Sequence, residues 1–214
     1  MSNVDKSAVV FWEVDTQADF MLAGGKLYVP GAEKRIANMR RLVDVARAGK
    51  VFLISSADQH APNDPEFARF PPHCVKGTSG AEILAELKAT KIMSIPNDKN
   101  FSALPNLNEF QQVVLEKQTL DVFDNPNTER LLGQFSGNQE FAVFGVVTEF
   151  CVRLAAKGLL DLGRRVVIVA DAIETLDANE GRRTLDELAT RGARLITTGE
   201  ALALANSSPR SPKS

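Results

Sequence analysis

The chain reads as an α/β protein, with a three-layer α/β/α architecture around a six-stranded, mostly parallel sheet. Three observations predict this. Short, continuous apolar runs recur along the sequence, as expected of strands buried on both faces. Segments with helical apolar spacing separate those runs, so the strands are joined by crossovers rather than hairpins. The length of 214 residues suits a single α/β domain.

The elements follow in order. Val9–Val14 is the first apolar run and ends at Asp15. Residues 32–48 carry Ile36, Met39, Leu42, Val43 and Ala46 at helical spacing, with Gly49 as a C-terminal cap. Residues 51–54 form the second strand, 81–87 a short helix, and 113–115 a third strand running toward Lys117. Residues 141–146 give a fourth strand, and 150–162 a helix closed by Gly163. Residues 166–169 form a fifth strand, 180–191 a helix closed by Gly192, and 195–197 a sixth strand. One domain is expected over 1–205, followed by a flexible Ser/Pro/Lys-rich tail over 206–214. The long irregular stretch 57–80 reads as a functional loop.

Composition narrows the function. A net charge of -2 offers no basic footprint for nucleic acid or an anionic membrane. No apolar run reaches transmembrane length, and the polar residues 1–7 do not resemble a secretory signal. Cys74 and Cys151 form no CxxC pair, which favours a reducing compartment and a cytoplasmic protein. Gly24-Gly25 follows the first strand, but no GxGxxG opens a helix there, so a dinucleotide site is unsupported.

Reactive side chains gather after strands. Asp15, Asp58, Lys117 and the 147–151 turn each follow an apolar run, and ligands bind outside the carboxyl ends of such strands. Cys151 falls in the first turn of a helix, where the dipole favours a thiolate, so its pKa is expected to be depressed. Free backbone N–H groups at such a turn can hold an oxyanion. Both histidines of the chain lie in one window, Asp58-Gln59-His60 … Phe70-Pro71-Pro72-His73-Cys74. Asp58, His60 and His73 form a carboxylate–imidazole set suited to one divalent metal, zinc foremost, with iron or manganese as alternatives. With both histidines claimed by the metal, Asp15 is the best placed acceptor for the thiol proton, and Lys117 stabilises the anions beside it. Phe20 and Phe70 are candidates for stacking on a flat substrate, or for ordinary packing.

These segments resemble the isochorismatase-like cysteine hydrolases, and among them the nicotinamidases. The resemblance rests on Asp15-Thr16-Gln17-Ala18-Asp19-Phe20, Glu116-Lys117, Gly145-Val146-Val147-Thr148-Glu149-Phe150-Cys151, and the metal window. It implies an Asp15, Lys117, Cys151 triad that hydrolyses a small amide through a thioester. It also implies a cis peptide at Val146-Val147, an oxyanion hole from the N–H groups of Val147 and Cys151, and Val146 near the substrate. The metal would position a pyridine ring, and homo-oligomers are usual. Phe70 stands where many nicotinamidases carry Trp, and the segment after Lys117 differs too. An amidase for another small amide or a carbamoyl or ureido compound therefore stays open, as does a non-catalytic binding protein on the same fold.

Overall fold

The structure, a computed structural model, describes residues 7–104 and 106–207. Seven strands build one sheet: β1 (Val9–Val14), β2 (Phe52–Asp58), β3 (Ile92–Ile95), β4 (Gln112–Lys117), β5 (Glu140–Gly145), β6 (Arg165–Ile173) and β7 (Arg194–Ile196). All neighbours are parallel, in the order β3-β4-β2-β1-β5-β6-β7. The helices are α1 (Ala18–Met21), α2 (Ile36–Arg47), α3 (Thr128–Leu132), α4 (Arg153–Asp161), α5 (Ala178–Thr190) and α6 (Thr198–Asn206).

Alternation along each strand sends side chains to two cores. Phe11, Leu53, Ala142 and Phe144 pack under α2 through Met39, Leu42 and Val43. Val10, Trp12, Ile54, Val113 and Val143 pack on the other face with Ala155, Leu159 and Leu188 of α4 and α5. Both layers are dense enough that truncating a buried leucine such as Leu42 would cost about 2–5 kcal/mol.

The expected architecture holds, with seven strands rather than six. The addition, Ile92–Ile95, is a half-buried edge strand, so its residues do not form the continuous apolar run of a central strand. Residues 81–87 are not a helix. They form 3-10 turns at Ser79–Ala81 and Ala85–Leu87. Between them the backbone pairs with residues 16–18: Ala18 N donates to Glu82 O (3.0 Å) and Leu84 N to Thr16 O (3.1 Å). A helix would forfeit those bonds. The helix expected at 32–48 opens with a 3-10 turn, Ala32–Arg35. The tail expected from 206 overlaps the end of α6 at Asn206, and from residue 208 on it lies outside the described residues. Among the described residues, no helix is long and apolar enough to cross a membrane.

Chain direction across the sheet reverses at β1. Its two neighbours are β2 on one side and β5 on the other, the topological switch point where open sheets hold ligands. Register brings the strand ends level: Val14 lies beside both Ser56 and Gly145, and Asp58 beside Lys117.

Candidate active site and metal centre

Asp15 leaves β1 with a positive φ of 51°, which turns its side chain along the rim. It is buried, and Ser56 Oγ donates to its Oδ1 (2.7 Å). Lys117 at the end of β4 is also buried. Its Nζ lies 2.9 Å from Asp15 Oδ2, 3.1 Å from Thr119 O and 3.7 Å from Cys151 Sγ, and it pairs with Asp58 Oδ1. One ammonium thus joins both carboxylates and the thiol, which is what offsets the desolvation of burying it.

Cys151 is reached through Gly145, at φ 122°, and a cis Val146-Val147 peptide. Any side chain at Gly145 would run into the Val14 carbonyl, so only glycine lets the chain turn so close to β1. The next residues wind as a π turn, Thr148–Val152, before α4 begins. Such insertions cluster at functional sites. The turn, rather than the first turn of a regular helix, presents the thiol.

Burial pushes the Cys151 thiol well above its ordinary value; Lys117 opposes the rise, and nearby Asp15 and Asp58 add to it. The depressed thiol expected from the helix start is therefore not found. Burial likewise raises Asp15, against the pull of Lys117. For Asp58 burial works in the same direction, but Lys117 and the two imidazoles overcome it and hold the group ionised. Lys117 is held charged by Asp15 and Asp58 despite its burial. The site stores a neutral thiol beside the carboxylate with the higher proton affinity.

Across from the thiol, Asp58, His60 and His73 offer ligand atoms within 4.8 Å of one another. His60 is fully buried, and its Nε2 makes no hydrogen bond. An unpaired buried ring nitrogen is costly, and a metal would satisfy it. His73 Nδ1 faces Pro71 O at 2.8 Å, and His60 Nδ1 lies 3.1 Å from Asp64 Oδ2. Both outer nitrogens thereby have carbonyl or carboxylate partners, leaving each Nε2 for a metal. His60 Nε2 lies 3.7 Å from Asp58 Oδ2 and from Glu66 Oε2, and His73 Nε2 3.6 Å from Asp58 Oδ2. The donor set fits one divalent ion.

Several residues that hold this geometry carried no assignment from the sequence. Gln17 donates to Asp58 O and accepts from Asp58 N, both at 2.7 Å, fixing the backbone of that carboxylate. Asp19 Oδ2 accepts from Cys74 N (2.8 Å) and staples the loop that returns His73. Both lie in the matched segment after β1, which was the available signal. Glu66 and Asp64, next to His60, were readable only as loop acids.

A cavity of about 100 Å³ lies between the two sets, lined by Phe20, Phe70, Leu120, Val147, Phe150 and Leu176 as well as Asp58, His73 and Cys151. Phe20, Phe70 and Val147 thus reach the space where a substrate would sit. Val146 does not: it is buried in the core behind the cavity, its N–H bonded to Val14 O.

A family model for the Isochorismatase domain matches residues 7–200. The chain belongs to the isochorismatase family. Among curated members it is 24% identical to the nicotinamidase of Escherichia coli strain K12, over 87% of this chain and 93% of that one. The crystal structure of Pyrococcus horikoshii pyrazinamidase in complex with zinc superposes with a TM-score of 0.71 at 24% identity, covering 89% of this chain and 99% of the other. N-carbamoylsarcosine amidase from Thermoplasma acidophilum gives a TM-score of 0.68 at 22% identity, over 88% and 95%. The fold is thus shared with proteins named as a pyrazinamidase and as an N-carbamoylsarcosine amidase.

Proposed function

We propose that the chain is a metal-bearing cysteine amidohydrolase that cleaves nicotinamide, or a similar small planar amide, to the acid and ammonia. The observation that carries the reading is the meeting of Asp15, Lys117 and Cys151 at the base of an apolar cavity whose other wall is Asp58 and His73.

In this mechanism Cys151 Sγ attacks the carboxamide carbon while its proton passes to Asp15, whose raised proton affinity suits it to the task. The N–H groups of Val147 and Cys151 stabilise the oxyanion. Asp15 then protonates the leaving nitrogen, the C–N bond breaks, and ammonia departs from a Cys151 thioester. Water attacks the thioester, giving its proton to Asp15, and Asp15 returns that proton to sulfur. Lys117 stays protonated throughout and steadies the anionic forms of its neighbours. Asp58, His60 and His73 would hold the metal, which when bound supplies a Lewis-acid template for a ring nitrogen.

The similarity to a carbamoylsarcosine amidase favours a second reading, hydrolysis of a carbamoyl compound. The cavity wall argues for the first. Among the described residues its lining includes no Arg or Lys, so no side-chain cation of the wall faces the carboxylate of a carbamoyl substrate. Comparing ammonia release from nicotinamide, benzamide and N-carbamoylsarcosine decides between them. The proposal expects the aromatic amides to be turned over, and turnover of the carbamoyl compound alone would replace it.

A further inference from the structure

Two large apolar side chains at the cavity mouth stand out for their exposure: Leu176 at 54% and Phe150 at 37%. Both line the cavity. Leu176 lies in the 174–177 connection between β6 and α5, a stretch with no regular structure. That connection is tied to the two residues that begin the nucleophile turn. Glu149 Oε1 accepts from Leu176 N and Asp177 N, each at 2.9 Å, and Oε2 accepts from Thr175 Oγ1 at 2.6 Å. Thr148 donates twice to Glu174 O, from its N–H (2.8 Å) and its Oγ1 (2.7 Å). From the other side, α5 presses Gly181 against Thr175, where a Cβ would come within 2.5 Å of Oγ1. Arg35 Nε holds Glu174 at 2.9 Å.

We propose that Leu176 and Phe150 form an apolar lip that packs on the substrate ring, and that Glu149 is the positioning residue that holds Leu176 there. The inference rests on the amidase reading and adds the determinant of its ring selectivity. Glu149 directly precedes Phe150, so the turn that presents Cys151 also sets both sides of the lip. Because the connection is anchored at Glu174, Thr175, Leu176 and Asp177, the lip is a fixed wall. An aromatic ring entering the cavity covers apolar surface that is otherwise left in water, whereas a small aliphatic amide does not reach it. The lip therefore acts on binding of the ring rather than on the chemical step.

Steady-state kinetics with nicotinamide for Leu176→Ala, Glu149→Ala and Glu149→Gln tests this. Leu176→Ala is expected to raise KM about tenfold, the loss of a partial leucine contact, with kcat within about twofold of the parent. Glu149→Ala is expected to raise KM similarly. Glu149→Gln keeps an oxygen acceptor for the two backbone N–H groups and is expected to recover most of that loss. A fall in kcat with KM unmoved in Leu176→Ala, or no difference between Glu149→Gln and Glu149→Ala, overturns the proposal. A second measurement separates this from failure of the amidase reading. Alkylation of Cys151, followed by mass spectrometry, is compared for iodoacetanilide and iodoacetamide. The lip predicts a preference for the aromatic reagent that drops several-fold in Leu176→Ala through weaker saturable binding. An unchanged preference overturns the lip, even if nicotinamide proves not to be a substrate.

Discussion

Replacing Glu13 by glutamine should make the protein more stable above neutral pH and leave it almost unchanged at pH 4. Glu13 lies on the central strand with no exposure to solvent. Ser55 Oγ (2.6 Å), Thr16 Oγ1 (2.7 Å) and Gln112 Nε2 (3.1 Å) donate to its carboxylate, but among the described residues no cation pairs with it. Burial raises its pKa from 4.5 to about 7, more than those hydrogen bonds and distant Arg47 lower it. Between these two values the folded state binds more protons than the unfolded state, so stability is full below 4.5 and falls as pH rises through 7. At 1.36 kcal/mol per pH unit, the gap amounts to about 3 kcal/mol. Glutamine keeps the size and hydrogen-bonding capacity without the ionisation. Urea unfolding at pH 4, 6 and 8 should show the difference between Glu13→Gln and the parent growing to about 3 kcal/mol. That corresponds to roughly 6–12 °C in Tm for a chain of this size. Two stability curves that stay parallel across this range would show that ionising Glu13 carries no such cost.

Glu13 also marks the boundary of what was readable from sequence. A carboxylate in a strand ordinarily signals a solvated face, and nothing in Trp12-Glu13-Val14 says that Ser55 and Gln112 from two other strands will enclose it. The buried setting of Cys151 was hidden for the same reason: the helix-start position was legible, the desolvation that outweighs it was not. By contrast Asp15, Asp58, Lys117 and Cys151 were identifiable because each follows a run of strand residues, and parallel strands deliver such residues to one edge. His60 and His73 were identifiable by ligand chemistry. Gln17 and Asp19 escaped assignment because their partners are backbone groups of segments distant in sequence, at Asp58 and Cys74. Ile92–Ile95 escaped because an edge strand needs only one buried flank.

Three more outcomes follow. Lys117→Met leaves Asp15 and Asp58 buried without their shared cation, and should cost about 3–5 kcal/mol in thermal or urea unfolding of the metal-free protein; a stability within 1 kcal/mol of the parent would contradict the pairing. The double variant His60→Ala/His73→Ala should retain no stoichiometric zinc after dialysis, read by elemental analysis, whereas undiminished zinc would remove the ligand assignment. Gly145→Ala forces a side chain against the Val14 carbonyl at a φ of 122°, and should destabilise by about 3 kcal/mol or more, beyond the usual range for a point change; normal stability by calorimetry would show that the strand end can shift.

In the proposed function, thiol and metal ligands serve one amide-cleaving site. Ammonia release from nicotinamide, measured for the zinc-loaded protein, for the same protein after chelation and for Cys151→Ala, tests it most directly. Turnover is expected to fall sharply on chelation, to return with zinc, and to be absent in Cys151→Ala at every metal content. Turnover that survives in Cys151→Ala would contradict it.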